Sequence, residues 1–283
     1  TTNARRTHVK KTKWTMVVLM MGCLLAAGCA EMNQTTKASS SPVMDRITSR
    51  GELRVGISGD MPPMNLLTKE DKVIGMDVDL ATMIADAMGA RLSVQRIDFN
   101  SLLPALESGR IDMIVSNMTM TPDRNLKAAF VGPYLTSGKA FLTKRSSIAQ
   151  AKGLPDVNSP QYTFVALKGS TSEAVIVRGA PQAKHLTAAT QNDAIQMVVD
   201  GKADGMIADF PICVVAVYRN PAAGLVSVVA PITYEPIGIA VPKGDPHLLN
   251  WLGNFLHSLE KAGYMQELRE KWFAQPTWLP QMK

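Results

Sequence analysis

Short apolar runs alternate with longer segments of helical spacing along most of this chain. "LRVGIS" (53–58), "RLSVQRI" (91–97) and "IDMIVS" (111–116) have strand length and polar or glycine boundaries, so they predict β-strands. Between them, "MDVDLATMIADAMG" (76–89) sets Val78, Met83, Ile84, Ala87 and Met88 at helical spacing and closes on glycine, and "SLLPALESG" (101–109) predicts a shorter helix that Gly109 stops. The theme repeats with "YTFVAL" (162–167) as strand, a helix from about 171, a helix over "NDAIQMVVDG" (192–201) and "ADGMIAD" (203–209) as strand; residues 247–273 predict a closing helical stretch. Alternation of this kind predicts an α/β fold with parallel pairing, here in two halves with a cleft between them.

The chain has 283 residues, 46% of them hydrophobic, enough for one large or two ordinary cores. Its formal charge of +6 is unevenly placed. Residues 1–28 hold Arg5, Arg6, Lys10, Lys11 and Lys13 and no acid, which leaves 25 bases against 24 acids in the remainder. That near-neutral body, without interleaved basic and aromatic residues, gives no reason to expect a nucleic-acid partner. The basic start leads into "WTMVVLMMGCLLAAG" (14–28), which has the charged head and short apolar body of a secretory signal. "LAAGC" (25–29) resembles a bacterial lipobox with Cys29 as the lipidated residue, and the polar run after it predicts a flexible tether to residue 43. Cys213 is then left without an intrachain partner and reads as a small buried hydrophobe in "ICVVAV". His185, His247 and His257 lack zinc-ligand spacing, so neither a metal nor another cofactor is expected.

Candidate chemistry concentrates where strands end. In "SNMTMTPDR" (116–124), Thr121, Pro122 and Asp123 spell a helix start, with a hydroxyl cap, a proline in the first turn and an acid suited to the dipole. Arg124 is badly placed for that dipole, which suits a residue meant to grip an incoming anion; its planar guanidinium matches a carboxylate. Asp209 closes the apolar strand "GMIAD" ahead of Pro211, so it too should face a cleft at a strand end. Arginine and aspartate at opposing strand ends form a receptor for a zwitterion, most simply an α-amino acid.

At these residues the sequence resembles the amino-acid-binding members of the bacterial extracellular solute-binding proteins, family 3, partners of ABC-transporter permeases. The resemblance runs from about Met44 to Phe273 and is carried by "GELRVGISGDMPPM", "IGMDVDLATMIADAMG", "LLPALESGRIDMIVSNMTMTPDR", "FVGPY", "LKGSTSE", "ADGMIADF" and "GYMQELREKWF" in order. It implies a two-lobed periplasmic-binding fold with two hinge crossovers, near 134–138 and 234–238, each lobe a mainly parallel sheet flanked by helices. Lobe one would be 44–135 plus 236–283, and lobe two 138–233. It further implies an exported, lipid-anchored monomer in the periplasm or at the cell surface. Ligand contacts carry over to Arg124 and Thr119 for the carboxylate, Asn117 and Asp209 for the ammonium, and Gly169 and Ser170 on the second lobe. Met61 and Met64 stand where relatives often place an aromatic ring, Phe99 stands at a pocket wall, and Ser58 stands where binders of cationic amino acids tend to have an acid. A neutral amino acid is therefore expected. Two alternatives stay open: a cyclohexadienyl dehydratase-like enzyme acting on prephenate or arogenate with Glu173 as general acid, and a ligand-sensing module for a membrane receptor.

Overall fold

The computed structural model describes residues 41–228 and 233–283; the expected signal segment, Cys29 and most of the tether lie outside the described residues. A helix, Pro42–Arg50, already begins at the end of the stretch assigned to the tether, with proline in its first turn and Gly51 closing it in the left-handed conformation.

The first lobe is built on β1 (Glu52–Ile57), a small three-stranded sheet of β2 (Asp60–Met61), β3 (Asn65–Leu67) and β4 (Val73–Ile74), then β5 (Arg91–Arg96), β6 (Met113–Ile114) and β7 (Ala129–Ser137). The second lobe carries β8 (Lys139–Thr143), β9 (Thr163–Leu167), β10 (Lys184–Ala188), β11 (Gly205–Asp209) and β12 (Val226–Ser227), before β13 (Glu235–Val241) returns to the first. The main sheets have the orders β5-β1-β6-β13-β7 and β10-β9-β11-β8-β12. Each keeps three parallel strands and adds one that runs against them, β13 or β8, and a fifth, β7 or β12, paired antiparallel to that one. The added strands include β7, β8 and β13, which carry the chain between sheets; only Gly138 separates β7 from β8. This is an α/β fold of two lobes joined at two crossings, its sheets flanked by helices.

Helix Met76–Ala87 buries Met76, Leu80, Ala81, Ile84 and Ala85. Of the five positions expected on its apolar face, only Ile84 is fully buried; Val78, Met83 and Met88 are half-buried and Ala87 is exposed. The face is turned because Asp77, in the first turn, points inward and accepts hydrogen bonds from Tyr134, Asn65 and the Asn117 backbone. The closing stretch is not one helix either: Pro246–Lys261 ends before Gly263, at φ +87°, and Tyr264–Arg269 follows. No helix among the described residues is long and apolar enough to cross a membrane.

Candidate functional site

Thr121 caps the single turn Pro122–Asn125, its hydroxyl accepting the Arg124 N–H at 3.2 Å. That turn swings the Arg124 side chain back into the cleft, where it is 9% exposed. Its guanidinium donates to the Thr119 carbonyl at 2.8 Å and, across the cleft, to the Gly169 carbonyl at 3.1 Å, and it lies over the Phe99 ring at 5.4 Å. Burial lowers its pKa to about 10 against the pull of Glu235 and Asp209, so it is cationic at neutral pH. Among the described residues no carboxylate lies within ion-pair distance of it, although one guanidinium has five donors.

Asp209 occupies the cap position of helix Phe210–Arg219, yet its side chain makes no capping bond. Instead Oδ1 accepts the Lys139 ammonium at 2.9 Å and Oδ2 accepts the Asn117 amide at 2.7 Å. The antiparallel register of β8 and β11 sets Lys139 directly opposite Asp209, which makes them a buried cross-strand ion pair. Lys139 also lies 3.6 Å from Glu235 Oε2. Glu235 opens β13 just after the return crossing and draws on both lobes: Oε2 accepts the hydroxyls of Thr119 at 2.8 Å and Thr171 at 2.9 Å, and Oε1 accepts Thr233 at 2.8 Å. Burial would raise its pKa, but Lys139 and these hydroxyls outweigh that and hold it below the ordinary value. The Lys139–Asp209–Glu235 triad thus carries one net negative charge, and Arg124 one positive charge facing it.

The residues singled out from sequence do not all meet. Met61, Phe99, Asn117, Thr119, Arg124, Ser170 and Asp209 line one cavity, joined by Lys139, Thr171, Ser172 and Gln191. Its volume is about 10 Å³, room for little more than one water. Polar contacts spanning the lobes around it include Asn117 to Asp209, Arg124 to Gly169, Thr119 to Thr171, Thr171 to Glu235, and the Gln191 N–H to Asp60. Ser58 stands back from the cavity, its hydroxyl donating to Asn65 Oδ1 at 3.0 Å. Met64 is fully buried in the core. Gly169 contributes its carbonyl, from a turn at φ +75°, and the Thr119 hydroxyl is committed to Glu235. Cys213 is wholly buried, and burial, aided by the Asp209 charge, pushes its thiol up to about 12.

Two buried acceptors in the cavity wall, Asn117 Oδ1 and Gln191 Oε1, have no hydrogen-bond partner among the described residues. The Asn117 amide cannot be turned round, because its nitrogen faces a carboxylate that only accepts. Asn117 itself sits at φ +46°, held there by its N–H bond to Asp77 Oδ2 at 3.0 Å.

Lys139, Glu235, Asp77 and Gln191 were not legible as site residues. The one signal for the first two is a charge opening each apolar strand beside a crossing, in "GKAFLT" and "YEPIGIAV".

Asp77 carries a testable pH dependence. Burial raises its carboxyl to about 6, with the bonds from Tyr134, Asn65 and Asn117 pulling the other way. A carboxyl whose folded pKa exceeds its unfolded value takes up a proton on folding, so its contribution to stability falls as pH rises from about 4 to about 6. Unfolding free energy should decline across that window by up to about 3 kcal/mol on this account. Asp77→Asn should remove that part of the slope in denaturant titrations; identical slopes would contradict it.

Two α/β lobes joined by paired crossings and meeting over a charged cleft are the architecture of a solute-binding protein. The chain belongs to the bacterial extracellular solute-binding proteins, family 3, whose family model matches residues 53–275. It is similar to the ABC transporter glutamine-binding protein GlnH of Bacillus subtilis, at 27% identity over 271 residues, 93% of this chain and 97% of that one. It is also 28% identical over 229 residues to a cyclohexadienyl dehydratase of Pseudomonas aeruginosa, covering 81% of this chain and 85% of the relative. Among solved structures, a putative binding component of an ABC transporter from Wolinella succinogenes, complexed with lysine, is 38% identical with a TM-score of 0.78, over 82% of this chain and 99% of that one.

Proposed function

We propose that this protein is the solute-capturing component of an ABC importer and takes a small α-amino acid, with a preference for neutral side chains. The observation that carries the reading is the division of charge in the cleft. Among the described residues Arg124 is a buried cation without a carboxylate partner, and opposite it the Lys139–Asp209–Glu235 triad holds one negative charge in excess. A zwitterion laid between them completes both halves, its carboxylate on the guanidinium and its ammonium toward Asp209 and the unpartnered Asn117 Oδ1.

The charges of Arg124, Lys139, Asp209 and Glu235 sum to zero, so a neutral amino acid leaves those four groups balanced, whereas a cationic side chain needs a counter-ion outside them; Asp60, which accepts the Gln191 N–H, is a carboxylate there, and burial raises its pKa toward the neutral form. Met61 and the Phe99 ring supply apolar wall for such a side chain. An amino acid is far larger than the present cavity, so capture requires the lobes to part at the crossings and close again. The import role rests on family membership and the ABC-transporter relatives. Export and a lipid on Cys29, which would hold the protein as a monomer at the membrane, rest on the leader pattern.

A dehydratase reading would need Glu173 as proton donor. Glu173 is the third residue of helix Thr171–Gly179; its N–H bonds the Ser170 hydroxyl at 3.3 Å and its carboxylate accepts the Gly169 N–H at 2.7 Å. It is not among the residues lining the cavity, and this reciprocal helix cap accounts for it, which favours capture over turnover. Glu173→Gln should cost about 0.5–1 kcal/mol of stability and leave amino-acid affinity nearly unchanged. The experiment is calorimetry on both proteins, with an assay for phenylpyruvate formation from prephenate. Phenylpyruvate formed by the wild type and lost in Glu173→Gln would overturn the reading.

A further inference from the structure

A receptor for an α-amino acid ordinarily discriminates against ligands without the ammonium because its aspartate is then buried and unpaired. That penalty is smaller here for Asp209 itself, although the triad as a whole keeps one negative charge in excess. Asp209 already has Lys139 on one oxygen at 2.9 Å and Asn117 on the other at 2.7 Å, and Glu235 has three hydroxyls and the same ammonium nearby. Lys139 is 2% exposed, and the β8–β11 register sets it opposite Asp209 within the second lobe, so parting of the lobes does not by itself separate the pair. The wall still asks for a hydrogen-bond donor, since Asn117 Oδ1 and Gln191 Oε1 are buried acceptors without partners.

Resting on the amino-acid reading above, we propose that the subsite for the α-substituent requires a donor but not a positive charge, so that the protein also binds (S)-2-hydroxy carboxylates. Arg124 takes the carboxylate of either ligand. The hydroxyl donates to Asn117 Oδ1 in place of the ammonium, and Lys139, already on Asp209, keeps that carboxylate paired when the ligand brings no cation. A 2-oxo acid offers only an acceptor at that position, facing the fixed acceptor Asn117 Oδ1, and is rejected. Lys139 is on this account a specificity-determining residue.

The test is calorimetry with matched triples: L-alanine, L-lactate and pyruvate; L-leucine, (S)-2-hydroxy-4-methylpentanoate and 4-methyl-2-oxopentanoate; L-phenylalanine, (S)-3-phenyllactate and phenylpyruvate. In whichever triple the amino acid binds, the hydroxy acid should bind within about tenfold of it and the oxo acid about a hundredfold more weakly or worse. In Lys139→Met the gap between amino and hydroxy acid should widen by about tenfold or more, because Asp209 then depends on the ligand for its cation. A hydroxy acid more than about tenfold weaker than its amino acid in the wild type, or an unchanged gap in a folded Lys139→Met protein, would overturn the proposal while leaving the amino-acid reading intact. If that variant does not fold, the wild-type ratios decide. No binding by any of the twenty amino acids would sink the underlying reading itself.

Discussion

Replacing Arg124 by alanine is expected to weaken amino-acid binding by about 2 to 5 kcal/mol, the cost of leaving a desolvated carboxylate without its cation. The guanidinium is held within its own lobe by the Thr119 carbonyl and the Phe99 ring, so it is positioned before a ligand arrives and spends little entropy on binding. Arg124→Lys should recover only part of the loss, because one ammonium cannot make two parallel bonds while keeping both carbonyls satisfied. The bond to Gly169 also ties the second lobe to the first, so the alanine variant should close less completely, seen as a larger radius in small-angle scattering with ligand present. Unchanged affinity in both variants would remove Arg124 from the site.

Asp209→Asn should be comparably severe. The amide leaves the Lys139 ammonium with only Glu235, at 3.6 Å, and turns a triad of one net negative charge into a neutral pair that no longer attracts a ligand ammonium. Affinity for amino acids should fall by about 2 to 5 kcal/mol, and stability by about 3 kcal/mol, because a buried cation has lost its nearest counter-ion. Calorimetry gives the first and denaturant unfolding the second. Full affinity in the asparagine variant would show that the ammonium is bound elsewhere.

How much of this was readable in advance depends on whether the determining interaction is local. The start at Thr121-Pro122-Asp123 is local chemistry, and its cap bond is where the residues say it is. Strand runs such as "LRVGIS" and "YTFVAL" are local too, because burial on both faces demands continuous apolar residues. The role of Lys139 is not local. In "SGKAFLT" it looks like the polar opening of a strand, and only the antiparallel pairing of β8 with β11, seventy residues away, sets its ammonium on Asp209. Glu235 is hidden for the same reason: its three hydroxyl partners come from Thr119, Thr171 and Thr233. Asp77 occupies an ordinary place for an acid, the first turn of a helix, yet it is buried at 0% exposure and fixes Asn117 from behind. Ser58 illustrates the opposite error. Its place in the family pattern suggested a pocket residue, but its hydroxyl is turned to Asn65. The sequence thus disclosed the cation proposed to grip the ligand and concealed the ionic support around the aspartate opposite.

The central claim, that this cleft captures a neutral α-amino acid, is tested most directly by a thermal-shift panel of the twenty amino acids together with prephenate and arogenate. A ligand at about 100 times its Kd adds about 2.7 kcal/mol to the folded state, which for a body of this size raises Tm by roughly 5 to 10 °C. The account predicts a shift of that order with one or a few neutral amino acids and little with lysine, arginine or histidine. A panel in which only cationic amino acids stabilise the protein, or in which prephenate does and no amino acid does, would contradict it.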